Sequence, residues 1–400
     1  MSEWKEVRLD SLVNRNICYG IVQPGFSPEN GIPVIKVNNI VKGLRDISEC
    51  DKTTEEINNK YKRTILKGGE LVISLVGTVG YVDIVPLSFA GANLVRATGM
   101  IDIEDELIKY WVLFYIRTKQ GQQYIEEHLN TTVQRALNIK DLCKMPIPIT
   151  QRCYMEKVVS ILSSLDSKIE NNRKICANLE AQAQALFKHW FIDFAPFKDG
   201  KFVESELGMI PEGWRVGKLT EIADYMNGLA MQKFPPLSEE DAIPVLKIKE
   251  LGQSQIDNNS DKCSKHIKQE YIIKDGDVIF SWSGTLLVDI WCGGICGLNQ
   301  HLFKVTSKEY PKWFYLLWTK YHLAEFIRIA KDKAVTMGHI KRGDLEKALV
   351  AIPDKYTFDK ISGINDDILS QIINIRLESS RISSLRDTLL PKLMSGEIKV

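Results

Sequence analysis

The sequence predicts a mixed α/β (α+β) protein, in which two duplicated domains are separated by two long helices that pack on each other. Two observations lead to this fold class. The segment ILKGGELVISLVGTVG, Ile65–Gly80, returns in altered form as IIKDGDVIFSWSGTLL, Ile272–Leu287. A helical segment with heptad spacing follows each copy, and the two segments share one register.

The composition is that of an ordinary globular protein. The chain has 400 residues, too many for one typical domain, with 44% hydrophobic and 26% charged residues. Apolar runs such as Tyr110–Ile116 are much shorter than the roughly 18 residues that span a bilayer, and the charged start MSEWKEVRLD is unlike a signal peptide. We expect a cytoplasmic protein with no membrane partner. The net charge of +1 leaves nucleic acid open as a partner, because a balanced chain can still carry a basic face.

The repeat covers whole domains, and its period is far too long for a solenoid. The offset between matching residues drifts from 211 to 202, which indicates small insertions and deletions. The matched pairs are Trp4–Leu9 with Trp214–Leu219, Ile32–Lys36 with Ile243–Lys247, Asn93 with Asn299, Trp111 with Trp313, and Asn138–Leu142 with His339–Leu345. We predict domains at residues 1–150 and 211–354, helical segments at 151–194 and 355–400, and a linker at 195–210.

Each copy combines strand and helix patterns. Leu71–Val76 and Val278–Trp282 are short β-prone runs that end at Gly-Thr turns. Glu104–Leu129 and Pro311–Lys331 carry aromatic and aliphatic residues at helical spacing. We interpret these aromatic residues as core.

The two long helices each carry a seam, meaning the line of residues at alternating spacings of three and four that faces a partner helix. Asn172 and Ser379 are polar seam residues, which can fix register at a cost in stability, and Arg386 is a charged one. A helix over Leu165–Trp190 would be roughly 37 Å long, close to the roughly 34–36 Å of one turn of B-DNA. The alternative is that each helix packs on the domain before it. The predicted helix-pairing residues are Leu165, Ile169, Asn172, Leu179, Leu186, Ile368, Ile372, Ile375, Ile382 and Leu389.

Catalytic motifs are missing from the sequence. The Pro-Pro pair in Phe234–Leu237 lacks the flanking residues of an adenine methyltransferase turn, and there is no G-x-x-x-x-G-K-[ST] phosphate loop. Asp387 with Glu397–Lys399 has nuclease-like spacing but lies at the C-terminus, a poor place for a buried metal. Cys292 and Cys296 have no histidine at zinc spacing, and the other cysteines are scattered. We expect no catalytic residues, no metal and no cofactor.

Three stretches resemble the specificity subunit of type I restriction–modification enzymes, and the resemblance covers essentially the whole chain. They are ALFKHWFIDFAPFK (Ala185–Lys198), LGMIPEGWRVGKL (Leu207–Leu219) and LRDTLLPKLMSGEI (Leu385–Ile398). The resemblance implies two target-recognition domains, each reading one half of a split, asymmetric sequence in double-stranded DNA. It also implies that the two long helices form an antiparallel coiled coil, which spaces these domains and docks two modification (methyltransferase) subunits. Restriction (translocase–nuclease) subunits would join that complex, and this chain would be its non-catalytic DNA-reading subunit.

Recognition domains of this family vary greatly, so we predict DNA contacts from residue type and matched position. Basic residues precede the Gly-Thr strand in both copies, and polar loops precede the last strand of each copy. Gln134 and Arg135 have the donors that read adenine and guanine. A solvated basic face without DNA is the alternative for either basic cluster. The predicted DNA-binding residues are Lys60, Lys62, Arg63, Lys67, Thr78, Gln134, Arg135, Lys265, Lys268, Thr285, Lys333, Thr336 and His339.

Two other classes of function remain open. A self-contained nuclease or methyltransferase predicts activity that depends on a metal or a methyl donor in the purified chain. A scaffold that only joins proteins through its helices predicts no sequence preference in any assembly. A specificity chain that serves methylation alone is a variant of the first interpretation.

Overall fold

The computed structural model describes residues 4–130, 134–257, 259–332 and 338–400. The chain divides into two compact units. The first unit runs to Ser167 and also takes in Ser384–Val400, and the second unit is Lys168–Ser383.

The first unit contains two sheets built from short strands. Its strands are β1 (Lys5–Arg8), β2 (Arg15–Tyr19), β3 (Ile32–Ile35), β4 (Asp51–Thr53), β5 (Leu71–Ser74), β6 (Val82–Ile84), β7 (Asn93–Leu94), β8 (Thr98–Asp102), β9 (Leu129–Asn130), β10 (Ala136–Leu137) and β11 (Pro146–Ile149). An antiparallel sheet has the order β2-β8-β5-β6, and a second sheet has the order β4-β3-β7, with β3 and β7 parallel. Strand β1 pairs with β11, and β9 pairs with β10.

The helices of the first unit pack on both faces of the four-stranded sheet: Trp111 shares a core with Leu71 and Ile73, and Ile40 shares another with Val72. These helices are α1 (Val37–Lys42), α2 (Glu55–Lys60), α3 (Glu106–Arg117), α4 (Lys119–Glu127), α5 (Ile139–Cys143) and α6 (Arg152–Phe187), of which the residues up to Ser167 belong here. The predicted helical stretch Glu104–Leu129 is two helices that break at Thr118. The Thr118 hydroxyl accepts a hydrogen bond from the Gly121 amide at 3.1 Å, and thereby caps the start of α4.

The second unit has the same kinds of sheet. Its strands are β12 (Phe202–Ser205), β13 (Gly208–Pro211), β14 (Arg215–Lys218), β15 (Asp224–Asn227), β16 (Ala242–Leu246), β17 (Lys262–Ser264), β18 (Ile272–Ile273), β19 (Val278–Ser281), β20 (Leu287–Ile290), β21 (Cys296–Leu298), β22 (Leu302–Thr306) and β23 (Leu349–Ile352). The sheet orders are β15-β22-β19-β20 and β17-β16-β21-β18. Strand β14 pairs with β23, while β12 and β13 form a hairpin that begins inside the predicted linker 195–210.

The helices of the second unit include one end of each long helix. The complete ones are α7 (Leu219–Ile222), α8 (Ile248–Gln253), α9 (Lys312–Asp332) and α10 (Arg342–Glu346), and the last helix of the chain is α11 (Lys355–Met394). Helix α6 enters this unit at Lys168, and α11 leaves it after Ser383. A π-helical turn over Lys188–Ile192 follows α6.

The strand register demonstrates the duplication and corrects one predicted match. In β3 and β7, Ile35 lies beside Leu94, and in β16 and β21, Leu246 lies beside Leu298. Asn93 therefore corresponds to Gly297, so the predicted match of Asn93 with Asn299 is wrong. Counted between equivalent paired residues, the segment from β20 to β21 is two residues shorter than the equivalent segment from β6 to β7. The match by sequence did not take this difference in length into account. The predicted α/β (α+β) class with a duplicated domain is confirmed.

Each unit has an aromatic core between helices and one four-stranded sheet, which contains β5 in the first unit and β19 in the second. In the first unit, Trp111 of α3 is fully buried together with Ile73 of β5, and the ends of α6 and α11 contribute Leu162 and Leu393. In the second unit, Phe280 of β19 and Trp318 of α9 are fully buried in this core, together with Phe187, Ile368 and Ile372. Each long helix thus packs on its partner and also on the core of the unit to which that part of the helix belongs.

Candidate nucleic-acid interface

A Gly-Thr turn follows an interior strand of a four-stranded sheet in both units, namely β5 in the first unit and β19 in the second. Gly77 and Gly284 have φ angles of +81° and +64°, in the left-handed region that favours glycine. The Gly77 amide donates a hydrogen bond to the Arg135 carbonyl at 2.9 Å, and the Gly284 amide donates one to the Gly338 carbonyl at 3.0 Å. The same turn is therefore held by the same loop in each unit, and both Thr78 and Thr285 are exposed.

The loop that holds this turn carries several predicted DNA contacts. Arg135 forms an ion pair with Glu126 of α4, and both side chains are more than half exposed. An exposed ion pair contributes little stability, so the guanidinium can exchange its carboxylate for another anion. The Gln134 side chain lies against Gly77. In the second unit, His339 lies beside Trp282, with ring centroids 6.4 Å apart, whereas Lys333 and Thr336 lie outside the described residues.

The predicted basic cluster of the first unit lies away from this turn. Lys67 precedes β5 and Thr78 follows it, so the two residues occupy opposite ends of that strand. The Arg63 carbonyl accepts a 3.5 Å contact from Arg15, which pairs with Asp102 at the same far end of the sheet. Lys60 is exposed and pairs with Glu56, and Lys62, Arg63 and Lys67 are exposed too.

The basic cluster of the second unit is also exposed and also lies away from the Gly-Thr turn. Lys265 follows β17 at the edge where Ser264 pairs with Ala242, the first residue of β16. The Lys265 ammonium donates to the Glu240 carbonyl at 2.8 Å, and Lys268 precedes a short 3₁₀ turn.

A cleft opens beside the Gly-Thr turn region in each unit, and we call the two clefts the matched clefts. The first, of about 600 Å³, is lined by Lys36, Asn38, Arg96, Ala97 and Gln134, among others. The second, of about 620 Å³, is lined by Lys247, Lys249, Asn299, Gln300 and His301, among others. Sequence reasoning noticed Lys36 and Lys247 as repeat positions but assigned them no role.

Each predicted helix-pairing residue lies on α6 or α11. All of those predicted are buried or half-buried. Within the second unit, Asn172 contacts Ser379 and Cys176 contacts the Ile372 carbonyl, so the numbering rises along one helix as it falls along the other. The helices are therefore antiparallel there. Within the first unit, Tyr154 of α6 donates to the Leu393 carbonyl of α11, at 2.8 Å.

Arginine side chains near the seam form ion pairs with carboxylates. In the first unit, Arg386 forms an ion pair with Asp166 at 2.8 Å, which accounts for the charged residue in the predicted seam. In the second unit, Arg376 contacts Glu180 of α6 at 2.6 Å and Asp289 of β20 at 3.0 Å. Burial disfavours the charged guanidinium, but the two carboxylates outweigh it and raise the pKa of Arg376. We call Arg376, Asp289 and Glu180 the three-residue ion-pair cluster.

The paired cysteines of the second unit are buried thiols. Burial raises the pKa of Cys292 to about 11 and that of Cys296 to about 12. Over residues 4–130, 134–257, 259–332 and 338–400, no cluster of three or more His, Cys, Asp or Glu side chains is arranged to hold an ion. None of the helices described is both long and apolar enough to cross a membrane.

Comparison with known proteins matches both halves of the chain to one family. The model of the type I restriction modification DNA specificity domain matches residues 1–181 and again residues 211–386. The MjaIX specificity subunit of a type I restriction enzyme from Methanocaldococcus jannaschii is 28% identical over 375 residues, which cover 90% of this chain and 83% of that protein. The HindI specificity subunit from Haemophilus influenzae is 21% identical, with full coverage of both chains.

A solved structure shares the fold. The crystal structure of the type I restriction–modification system S subunit from M. genitalium aligns with a TM-score of 0.52 and 14% identity, covering 98% of this chain and 96% of that one. The duplicated units, the antiparallel helices and the double family match lead to one conclusion: the chain belongs to the family of type I restriction–modification DNA specificity subunits.

Proposed function

We propose that this chain reads the two halves of a bipartite, asymmetric DNA sequence, one half with each duplicated domain, and performs no chemistry of its own. The observation that carries the proposal is that both units keep one framework around the Gly-Thr turn while the exposed side chains beside it differ. Two domains that share a framework but differ in their contact residues would recognise two different half-sites of one DNA sequence. Membership of the specificity-subunit family supports the same conclusion.

Affinity in this proposal comes from exposed cations on phosphates, and specificity comes from polar groups at base edges. Arg135 and Gln134 in the first domain, and His339 in the second, lie next to the Gly-Thr turns and are assigned to the DNA-facing surface. Lys333 and Thr336 belong to the same proposed surface by sequence position. The basic residues away from the Gly-Thr turns are predicted separately to contact DNA phosphates. They are Lys60, Lys62, Arg63, Lys67, Lys265 and Lys268.

The partners in this proposal are two modification subunits, which the long helices dock, and restriction subunits that join the complex. Within the second unit, Ile175 of α6 is 46% exposed, and Tyr356 and Ile364 of α11 are 78% and 51% exposed. In this proposal these exposed apolar side chains are points of contact with a modification subunit. Similarity to the specificity subunit of a type I restriction enzyme from M. jannaschii supports this assembly.

Methylation mapping in cells tests the function. DNA from cells that carry the chain with its modification subunits is expected to show one methylated bipartite motif, which disappears when the chain is deleted. Exchanging residues 1–150 for the corresponding domain of a relative is expected to change one half of the motif and leave the other half intact. An unchanged methylation pattern after deletion would refute the proposal that this chain determines the methylated sequence. A motif changed in both halves would refute the proposal that each domain recognises one half-site. Methylation by the purified chain alone would show an enzyme instead.

A further inference from the structure

We infer that the matched clefts are the base-reading sites, and that Arg96 with Asn38 in the first domain, and Gln300 with Lys249 in the second, set which bases are preferred. This inference rests on the proposed function, because it assigns residues to the reading of each half-site. It concerns positions that differ from the turn and loop residues discussed above.

The two clefts are built from equivalent strands. Strand β3 ends beside β7, and β16 ends beside β21, in parallel pairs of the same register. Counting on from the pair Ile35–Leu94 and the pair Leu246–Leu298 makes Lys36 equivalent to Lys247. The residues that follow β7 and β21 align in the same way. Arg96 is thus equivalent to Gln300, and Asn38 is equivalent to Lys249.

The base of each cleft is a shared framework. Lys36 and Lys247 each precede a helix and form an ion pair with the equivalent carboxylates Asp51 and Asp261. The backbone amides of both lysines donate to the third residue of the helix, at 2.8 Å to Asn39 and at 3.2 Å to Glu250. The same side chain with the same partners in both units indicates a fixed support.

The rim of each cleft differs in chemistry at equivalent positions. Arg96 and Gln300 are both exposed, as are Asn38 and Lys249, and the next position along the rim is Ala97 in one unit and His301 in the other. The side chains of Arg96, Gln300, Asn38 and Lys249 face water, and Lys249 also forms an ion pair with Asp257 at 2.6 Å. A residue kept for stability would tend to be buried and similar in both copies, whereas these are exposed and dissimilar.

The rim residues have the donors and acceptors that distinguish base pairs. Arginine donates two hydrogen bonds to guanine O6 and N7, and glutamine or asparagine pairs with adenine N6 and N7. Within the described residues, the Arg96 guanidinium forms no ion pair, so it is available to a base edge. Gln300 lies 3.3 Å from the His301 ring, which orients its amide.

The ordinary alternative is a solvated polar rim with no ligand. Two observations weigh against it: the clefts occupy equivalent places in the two units, and one lining residue of each is hydrogen-bonded to the segment between the Gly-Thr strand and its turn. In the first unit, the Ala97 carbonyl accepts from the Leu75 amide at 2.8 Å, and in the second, the His301 carbonyl accepts from the Trp282 amide at 3.4 Å. The rim is therefore held next to the turn in both domains.

The test is a reciprocal exchange in the complex assembled with its modification subunits. Arg96→Gln and Gln300→Arg are made separately, and binding is measured on duplexes that carry each single-base change in the wild-type motif. Arg96→Gln is expected to reduce discrimination for guanine at one position of one half-site by about 5- to 100-fold. Gln300→Arg is expected to alter one position of the other half-site to a similar extent.

Matched controls come from the same units. Arg45→Gln changes an exposed arginine of the first unit outside the cleft, and Gln253→Arg changes an exposed glutamine at the end of α8. Both are expected to leave every position of the motif unchanged. Asn38→Ala and Lys249→Ala are a second pair of rim variants that keep the test decisive if an exchange variant fails to assemble.

The outcomes separate this inference from the proposed function. If the wild-type complex shows no motif, the proposed function fails. If the wild-type motif is clear but all four rim variants preserve every base preference, the rim is not the reader. Equal weakening on all duplexes would show phosphate contact and would likewise overturn the assignment of base reading.

Discussion

The Asn172 side-chain amide donates a hydrogen bond to the Ser379 hydroxyl at 3.2 Å, joining α6 and α11 within the second unit. The same amide also donates to the Glu378 carboxylate at 2.7 Å. Asn172 is 1% exposed, so its polar atoms depend on these partners. A polar contact inside an otherwise apolar seam fixes the register of the two helices at a cost in stability.

Asn172→Leu is expected to raise the free energy of unfolding by about 1 kcal/mol, because burying a leucine gains more than the lost hydrogen bonds contribute. Ser379 keeps a partner in this variant, since its hydroxyl also donates to the Ile375 carbonyl at 2.9 Å. Urea unfolding followed by circular dichroism measures the change. Asn171→Leu, at the exposed neighbouring position, is the control and is expected to shift stability by less than about 0.5 kcal/mol. A less stable Asn172→Leu protein would contradict the interpretation.

The three-residue ion-pair cluster is expected to stabilise the second unit. Arg376→Met leaves the Asp289 and Glu180 carboxylates without their cation, and we expect a loss of about 2 kcal/mol in the free energy of unfolding. The side chains are only one-fifth to one-third exposed, which limits solvent screening.

Arg173→Met is the matched control for Arg376, since it lies at the corresponding position of the first long helix. Its partner Glu170 is three residues away on the same helix, and such exposed pairs contribute little. Chemical unfolding of both variants checks the difference. Equal effects of the two substitutions would show that the cluster adds nothing beyond an ordinary surface pair.

His322 is expected to make stability depend on pH. Burial lowers the pKa of this imidazole, although its 2.9 Å hydrogen bond to the Leu349 carbonyl and the Glu325 charge act in the opposite direction. Because the folded pKa lies below the unfolded value of about 6.5, the unfolded chain binds more protons, and stability falls as pH drops below 6.5.

The measurement is the unfolding midpoint of wild type and His322→Gln at pH 7.5 and pH 5.5. The wild-type midpoint is expected to fall more than that of the variant over this range. His189→Gln, at an exposed ring, is the control and is expected to keep the wild-type pH dependence. A pH profile that His322→Gln leaves unaltered would remove this residue as the source.

Arg135→Ala is expected to weaken DNA binding by the assembled complex about three- to tenfold. It should also reduce the slope of log affinity against log salt by about 1, as expected when one phosphate contact is lost. Filter binding or fluorescence anisotropy over a salt series measures both quantities. Arg152→Ala is the control, because Arg152 is also exposed and ion-paired, with Asp105 at 2.7 Å, but lies away from the Gly-Thr turn. Unchanged affinity and sequence preference for Arg135→Ala would remove it from the interface.

Local sequence patterns were sufficient to predict β5, the long helix α6 and the duplication of the domain. The apolar run at Leu71–Val76 forms β5, and the heptad residues from Leu165 lie on the buried side of α6, because side-chain periodicity follows directly from helix and strand geometry. The same reasoning placed Asn172 and Ser379 on one seam. Matching by sequence failed at Asn93, where a shorter turn in the second unit changes the offset and only hydrogen-bonded register reveals it.

From its residues alone, then, this protein could be recognised as two copies of one α/β domain, each followed by a long amphipathic helix. Only the tertiary structure shows which side chains contact each other, because these contacts join residues that are far apart in the sequence. Arg376 contacts Asp289 and Glu180, which lie 87 and 196 residues away in the chain. Lys36 and Arg96 line one cleft because β3 and β7 pair in parallel, and a parallel pair needs a long crossover whose ends no local pattern connects.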